Sequence, residues 1–192
     1  MSQFWLYFQL GLEHVLDWQA YDHVLFIIAL CTAYPWSSWK RLLFLVSMFT
    51  LGHTASLFLT HFAKVYPPEN WIEFLIPVTI VFAAAYNLFK LKRTLKDEKV
   101  SILLVTALFF GLIHGFGFGR YFNQILDGNE VAPLLEFALG IELSQVIIVL
   151  SVLVAGYFIQ TFFRVQQRDW VMVVSSVVIG MALPMLIENW PL

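Results

Sequence analysis

The chain has 192 residues, of which 60% are apolar and only 12% are charged, about half the charged fraction of a typical soluble domain. Its mean hydropathy is +0.77, so the sequence predicts a protein whose solvent is lipid. The formal net charge of −2 gives no basic surface and argues against a nucleic-acid partner. A single cysteine, Cys31, excludes an internal disulfide and a metal site built from several thiolates.

Apolar runs bounded by turn or charge signals divide the chain into six segments. We predict an all-α polytopic membrane protein, a single transmembrane domain over residues 1–192, with spans at about 21–34, 39–62, 71–91, 100–118, 132–163 and 170–190. The first span is short, because its residues rise only about 21 Å through a hydrocarbon core about 30 Å thick. The segment before it, residues 2–16, mixes aromatic and polar side chains and is typical of an N-terminal interfacial helix. Residues 1–11 contain no Lys or Arg and no small-residue cleavage site, so we expect the N-terminus to stay in the mature protein.

Basic residues predict the orientation, because Lys and Arg near span ends are retained on the cytoplasmic side. The first, third and fifth connections carry nine of them: Lys40, Arg41, Lys90, Lys92, Arg93, Lys96, Lys99, Arg164 and Arg168. The second and fourth connections carry only Lys64 and Arg120. Both termini are therefore expected outside.

Polar residues inside the spans are concentrated in the outer half of the predicted bundle. A charge at the bilayer centre costs about 2.5–3.5 kcal/mol, so each such residue is a functional hypothesis. The residues placed in the outer half are His14, Asp22, His23, His53, His61, Glu73, His114, Glu136 and Glu188. Only Glu142 and Asn87 lie deeper. This asymmetry predicts a polar site in the outer half.

Imidazole and carboxylate ligands without thiolate suit Ni²⁺, Co²⁺ or Zn²⁺. Asp22 and His23 are adjacent and could supply two ligands from one turn, with His14 approaching from the preceding segment. His53 and His114 would then complete the shell of a divalent metal ion. The alternative is that single histidines cap helices or bond to carbonyl groups.

Two local sequences share the spacing Phe-x-Leu-x-His, at residues 49–53 and 110–114. They lie on predicted helices that run in the same direction, which is typical of a parallel internal repeat, although two apolar helices can also agree by chance. Gly111 and Gly115 have the spacing that allows helix backbones to approach closely. We therefore predict that His114 is packed against another helix.

Glu142 and Gln145 lie three residues apart and share one helix face, which must face the bundle because a carboxylate facing lipid is prohibitive. Glu142 could be a metal ligand, a group that orients a histidine, a proton carrier or a structural hydrogen-bonding residue. Candidates that orient the ligands or line an inner path are Gln145, Asn87, Glu73, Ser56, Thr79, Ser47 and Thr50.

Five segments together resemble the HupE/UreJ family of bacterial membrane proteins over nearly the whole chain. They are Gly11-x-x-His14 followed by Asp22-His23-Val24-Leu25-Phe26, residues 49–57 around His53, Glu73 with Asn87, residues 110–118 around His114, and residues 137–145 around Glu142. The resemblance implies a nickel or cobalt permease-like protein that takes up metal across the bacterial inner membrane.

Three functions compete for this site. A secondary transporter would bind a divalent ion (Ni, Co or Zn) as its substrate and needs a polar path through the inner half. An intramembrane zinc hydrolase would activate a metal-bound water with Glu142 or Asp22 as base and needs a lateral opening to lipid. A non-catalytic metal-binding accessory protein is the third. Transport is favoured. The lipid bilayer is the expected partner, and a homo-oligomer is compatible with the sequence. The sequence has no GxxxxGK[ST] loop, so ATP does not drive transport through this chain.

Overall fold

The computed structural model describes residues 2–17, 19–91, 100–126, 128 and 130–191. These residues form seven α-helices and contain no strand, which confirms the predicted all-helical fold. The helices are α1 (Gln3–Leu16), α2 (Asp22–Thr32), α3 (Trp39–Phe62, preceded by a 3₁₀ turn at Trp36–Ser38), α4 (Glu69–Lys90), α5 (Val100–Ile125), α6 (Ala132–Phe162) and α7 (Gln167–Glu188). The predicted charged loop at Lys96 to Lys99 lies outside the described residues.

Five of these helices, α3 to α7, are long and apolar enough to cross a membrane, as expected of a polytopic membrane protein. The first predicted span corresponds to α2, which is apolar but shorter, so the count of six spans stays a prediction. Helix α5 continues to Ile125, past the predicted end at residue 118. The glycines in this stretch are part of the helix. They leave room for close packing, Gly117 against Ile76 and Gly119 against Thr60.

The bundle has two ends, which we call the Pro67 end and the Pro35 end. The Pro67 end holds the connection between α3 and α4 and the end of α5, where His61 Nδ1 lies 2.7 Å from Asn123 Oδ1. The Pro35 end holds the connections at residues 33–38 and 163–166. Helices α3 and α5 run toward the Pro67 end, and α4 and α6 run away from it.

Helices α3 and α5 pack in parallel along a seam of glycines. A Cβ on Gly52 would overlap the carbonyl oxygen of Leu108, and one on Gly111 would overlap the carbonyl oxygen of Phe49. Only glycine allows this approach of two backbones. His114, one turn beyond Gly111, is buried beside α3, which confirms the predicted helix packing around it.

A second glycine seam joins α1 to α6. A Cβ on Gly11 would overlap the carbonyl oxygen of Phe137, and one on Gly140 would overlap that of Phe8. The reciprocal pattern is the same as in the α3–α5 pair. Helix α1 is therefore packed into the bundle along α6.

Two side-chain contacts fix the direction of α1. Near its start, the Tyr7 hydroxyl donates to the carbonyl of Ile125 at the Pro67 end (3.3 Å). Further along, the carbonyl of Leu12 accepts from the hydroxyl of Ser144, in the middle part of α6 (3.0 Å). Helix α1 thus runs from the Pro67 end toward the middle of the bundle. The predicted placement of residues 2–16 in the membrane interface stays a prediction.

Helix α2 continues from the middle of the bundle to the Pro35 end. Near its end, the carbonyl of Ala29 accepts from Asn87 Nδ2 (2.7 Å), and the carbonyl of Thr32 accepts from Gln167 Nε2 (3.3 Å). Helices α1 and α2 therefore follow one another along the bundle. Between them the chain leaves helical geometry next to the place where the histidines meet.

Candidate metal centre

Five side chains from four helices meet in the interior: His14 at the end of α1, Asp22 and His23 at the start of α2, His53 on α3 and His114 on α5. The rings of His23, His53 and His114 are each no more than 2% exposed. The glycine seam between α3 and α5 holds two of these rings in place, because Gly111 packs against the backbone of His53. The five residues come from the same candidate set that the sequence indicated.

The ligand atoms fall into two overlapping groups rather than one shell. The first group is His14, His23 and His53, and the second is Asp22, His23 and His114; within each group the ligand atoms lie within 4.8 Å of one another. Zinc–imidazole bonds are about 2.0–2.1 Å long, so ligands on opposite sides of such an ion are about 4 Å apart. Each group is close to a size that can hold an ion, and His23 belongs to both.

Most ring nitrogens in these groups have no hydrogen-bond partner among the described residues. These are His14 Nε2, His23 Nε2, His114 Nδ1 and both nitrogens of His53. A buried polar atom left without a partner costs about 1–3 kcal/mol, so the protein bears this cost at several neighbouring positions. Neutral imidazole nitrogens with free lone pairs are the donors that borderline divalent ions prefer.

Hydrogen bonds orient two of the rings. Asp22 Oδ1 lies 3.0 Å from His23 Nδ1 and also accepts the backbone N–H of His23 at 2.8 Å. The Thr79 hydroxyl donates to the carbonyl of Ile76 (2.7 Å), so its oxygen accepts from Nε2 of His114, 3.1 Å away. The proton on that nitrogen leaves the His114 Nδ1 lone pair free for a ligand. Such outer partners fix the tautomer of metal-binding histidines.

Phenylalanine rings surround the imidazoles, and no motif in the sequence indicated this role for them. The ring of His14 lies 4.0 Å from that of Phe118. The ring of His114 lies 5.1 Å from Phe49 and 5.6 Å from Phe26. Phe26, Phe49 and Phe118 all stand in segments that carry the family resemblance, but a phenylalanine in a span is ordinarily read as lipid-facing or core. Here these rings pack directly against the imidazoles.

Two cavities approach the histidines from different sides. One is open beside α1 and is lined by Glu13, His14, Asp17 and Phe118, among others. The other lies between α2, α4 and α5 toward the Pro35 end and is lined by Asn87, Tyr86, Thr106, Phe26 and Phe110, among others. Phe26 borders the second cavity and also contacts the ring of His114. The first cavity reaches His14 directly.

His61 and Glu142 lie outside both groups of ligand atoms. His61 bonds to Asn123 at the Pro67 end, as a histidine with a structural role would. Glu142 accepts hydrogen bonds from the hydroxyls of Ser47 and Thr50, each at 2.5 Å. The predicted metal-binding role of Glu142 stays a prediction.

The other polar residues suggested by the sequence occupy varied places. Gln145 is fully buried, and neither atom of its amide has a hydrogen-bond partner within the described part of the chain. Ser56 donates to the carbonyl of His53 (2.7 Å). Asn87 donates to the carbonyl of Ala29, near the Pro35 end. Glu73 is exposed on α4 and belongs to neither group.

A family model described as HupE / UreJ protein matches residues 1–189. The chain belongs to the HupE/UreJ family. This confirms the resemblance carried by the segments around His14, His23, His53, His114 and Glu142. A search of curated proteins and a search of solved structures each found no match. For a HupE/UreJ protein a metal-related function is expected, and the two histidine groups provide ligands of the right type.

Proposed function

We propose that this HupE/UreJ protein is a secondary transporter that takes up a divalent transition-metal ion of the nickel or cobalt class through the histidine centre. The observation that supports the proposal most is the set of buried imidazole nitrogens without partners among the described residues, on three helices, at His14, His23 and His53. His61 likewise has one bonded nitrogen and one without a partner, but it stands outside both groups of ligand atoms. His14, His23 and His53 each offer a ligand atom within 4.8 Å of the others, which is what binding of a divalent ion requires.

The cavities favour transport over the alternatives. A transporter needs access to the site from two sides, and one cavity reaches His14 while the other ends at Phe26 and Phe110. Phe26 and Phe110 contact each other edge to face, with ring centroids 5.6 Å apart. They would separate the site from the second cavity until the helices rearrange, as alternating access requires.

A zinc hydrolase is the main alternative. It needs a carboxylate that is free to act as base on a metal-bound water. Asp22 is the carboxylate within the two groups, and its Oδ1 atom is bonded to His23. Glu142, the other base considered, is bonded to Ser47 and Thr50. This arrangement favours a binding and transport role over hydrolysis.

We further propose six crossings of the bacterial inner membrane with both termini outside, so that the Pro67 end is the outer end. The crossings are α3 to α7 and a first crossing completed by α2, with α1 leading into it. The basic residues at the Pro35 end support this orientation. In a Cys31→Ala background, Glu69→Cys should react with an impermeant thiol reagent in intact cells, and Arg168→Cys only after permeabilisation. The reverse pattern would overturn the orientation.

Uptake into proteoliposomes tests the transport function. Purified protein should carry Ni²⁺ or Co²⁺ to a chelating dye trapped inside, driven by the metal gradient alone. We expect His53→Ala to lose uptake and His61→Ala, a matched change on the same helix, to keep it. If the wild-type protein bound metal but gave no uptake above empty liposomes under a gradient or a membrane potential, the transport proposal would be wrong. Release of fatty acid from the lipids by the zinc-loaded protein would then support the hydrolase.

A further inference from the structure

We propose that the centre contains two ion positions that share His23 and are used one after the other by a single ion. The entry position is formed by His14, His23 and His53, and the transfer position by Asp22, His23 and His114. The inference rests on the proposed function, because it presupposes that the substrate is a divalent metal ion. It adds the order in which the side chains would bind that ion.

The five residues do not surround one point. The ring of His23 lies 4.7 Å from that of His14, 5.6 Å from that of His53 and 5.0 Å from that of His114. His14 and His53 are themselves 5.5 Å apart. Among the described rings, no close contact joins His114 to either of them. His23 therefore stands between two histidines on one side and His114 on the other.

The lone pairs of His23 limit how many ions it can bind. A neutral imidazole has one nitrogen that carries a proton and one that can accept or ligate. With Asp22 Oδ1 holding the proton on Nδ1, the nitrogen without a partner is Nε2. The proton stays on Nδ1 when Asp22 binds the ion through its other carboxylate oxygen, so Nε2 is the lone pair that the ring offers in both positions. The ring can therefore serve one ion at a time.

Charge also limits the centre to one ion. Asp22 is the carboxylate in the two groups, and the other ligands are imidazoles. Two divalent cations on either side of one ring would leave a large excess of positive charge among Phe26, Phe49 and Phe118, whose apolar rings do little to screen it. One ion that moves between two positions meets no such repulsion.

The two cavities adjoin different ion positions. His14, in the entry position, lines the open cavity beside α1. His114, in the transfer position, contacts Phe26, which lines the second cavity. An ion that exchanges His14 and His53 for Asp22 and His114 has therefore moved from one cavity toward the other while it stays bound to His23.

Metal stoichiometry separates two positions from one shell. Full-length protein in detergent is titrated with Co²⁺, whose absorption spectrum reports the ligands that bind it. The same titration is carried out on His23→Ala, His53→Ala, His114→Ala and the double variant His53→Ala/His114→Ala. We expect one Co²⁺ per wild-type chain. Each of the two single variants at His53 and His114 should still bind one Co²⁺, with affinity reduced about 10- to 100-fold and with two different spectra. His23→Ala and the double variant should bind none.

The outcomes distinguish this inference from the function on which it rests. If His53→Ala and His114→Ala each bind no Co²⁺, or give identical spectra, a single shell is correct and the two positions are wrong, while transport still stands. If His23→Ala binds as the wild type does, the shared ring is also wrong. If the wild type binds no Co²⁺ or Ni²⁺, the proposed function itself fails. His61→Ala is the matched control, and thermal unfolding of each variant shows that it is folded.

Discussion

The histidine centre and the polar group around Asn87 are both buried between helices of one bundle, yet their polar atoms are satisfied differently. Asn87 Nδ2 donates to the carbonyl of Ala29 at 2.7 Å and lies 3.4 Å from the hydroxyl of Ser175. These bonds tie α2, α4 and α7 together. In the histidine centre, by contrast, both nitrogens of His53 have no partner in the described structure.

The difference separates a well-bonded polar group from a candidate ligand, although both are costly in lipid. A structural residue gains stability when its polar atoms are paired, as the amide of Asn87 is. A missing partner does not by itself identify a ligand, because the buried amide of Gln145 also has none within the described residues and belongs to neither group. The predictions below test the difference directly.

Gly111→Leu should have the largest effect, because a side chain there overlaps the backbone of Phe49 and His53. Helices α3 and α5 would separate, and the histidines on them would lose their relative position. We expect metal binding to be lost and stability to fall by about 3 kcal/mol or more. Gly180→Leu is the matched control, because nothing lies within 4 Å of a Cβ there. Thermal unfolding and Co²⁺ titration of both variants measure the difference in stability and in metal binding. Equal losses in Gly111→Leu and Gly180→Leu would contradict the prediction.

Acidification should weaken metal binding strongly and leave the Asn87 group unaffected. A proton and a metal ion compete for the same imidazole lone pair, so affinity is greatest where the histidines are neutral and falls as they become protonated. We expect affinity to fall once the pH is low enough to protonate the buried imidazoles, measured by Ni²⁺ titration from pH 7.5 down to the pH at which the protein unfolds. An affinity that stays constant until the protein unfolds would remove the histidines from the binding site.

Asn87→Leu should show the opposite pattern to a ligand variant. It removes the hydrogen bonds that join α4 to α2 and α7, so we expect a loss of about 1–3 kcal/mol in unfolding free energy. The Co²⁺ affinity should stay within about twofold of the wild type. His53→Ala is the natural comparison, because it removes two nitrogens without partners and should destabilise the metal-free protein less. A large loss of Co²⁺ affinity in Asn87→Leu would place that residue in the metal path.

His61→Ala should have the smallest effect. Its bond to Asn123 is lost, but Asn123 keeps its bonds to the carbonyl of Thr60 and the hydroxyl of Tyr66. We expect a loss of about 1 kcal/mol in stability and unchanged metal stoichiometry. Loss of stoichiometry in His61→Ala alone would mean that the centre lies nearer the Pro67 end.

The sequence predicts the helices well, because their apolar runs are long and their boundaries carry turn or charge signals. It also predicts which residue types meet, since the position of His53 along α3 or His114 along α5 gives an approximate depth. Depth is only one coordinate, however. The separation of the ligands into two groups depends on the lateral positions of α1, α4 and α5 around His23, which no local pattern encodes.

The position of α1 illustrates the same limit. Its mixture of Phe4, Trp5 and Glu13 with glycine is compatible with a helix on the membrane surface. Its contact with α6 depends on Gly11 meeting Gly140, and both are isolated glycines in unrelated parts of the chain. Each glycine packs against a carbonyl group of the other helix, and this pairing can be recognised only when the two helices are side by side. Phe118, which packs on His14, was missed for this reason.

The seam between Gly11 and Gly140 also has a consequence for biogenesis. Helix α1 leaves the ribosome before α6, which provides the surface that receives it and emerges after α2, α3, α4 and α5. Since domains assemble as their chain becomes available, α1 docks only after α6 has been made. His14 reaches the histidine centre with α1, so the full set of ligands comes together only after α6 has been inserted. The half-made protein therefore cannot hold a metal ion with all of its final ligands.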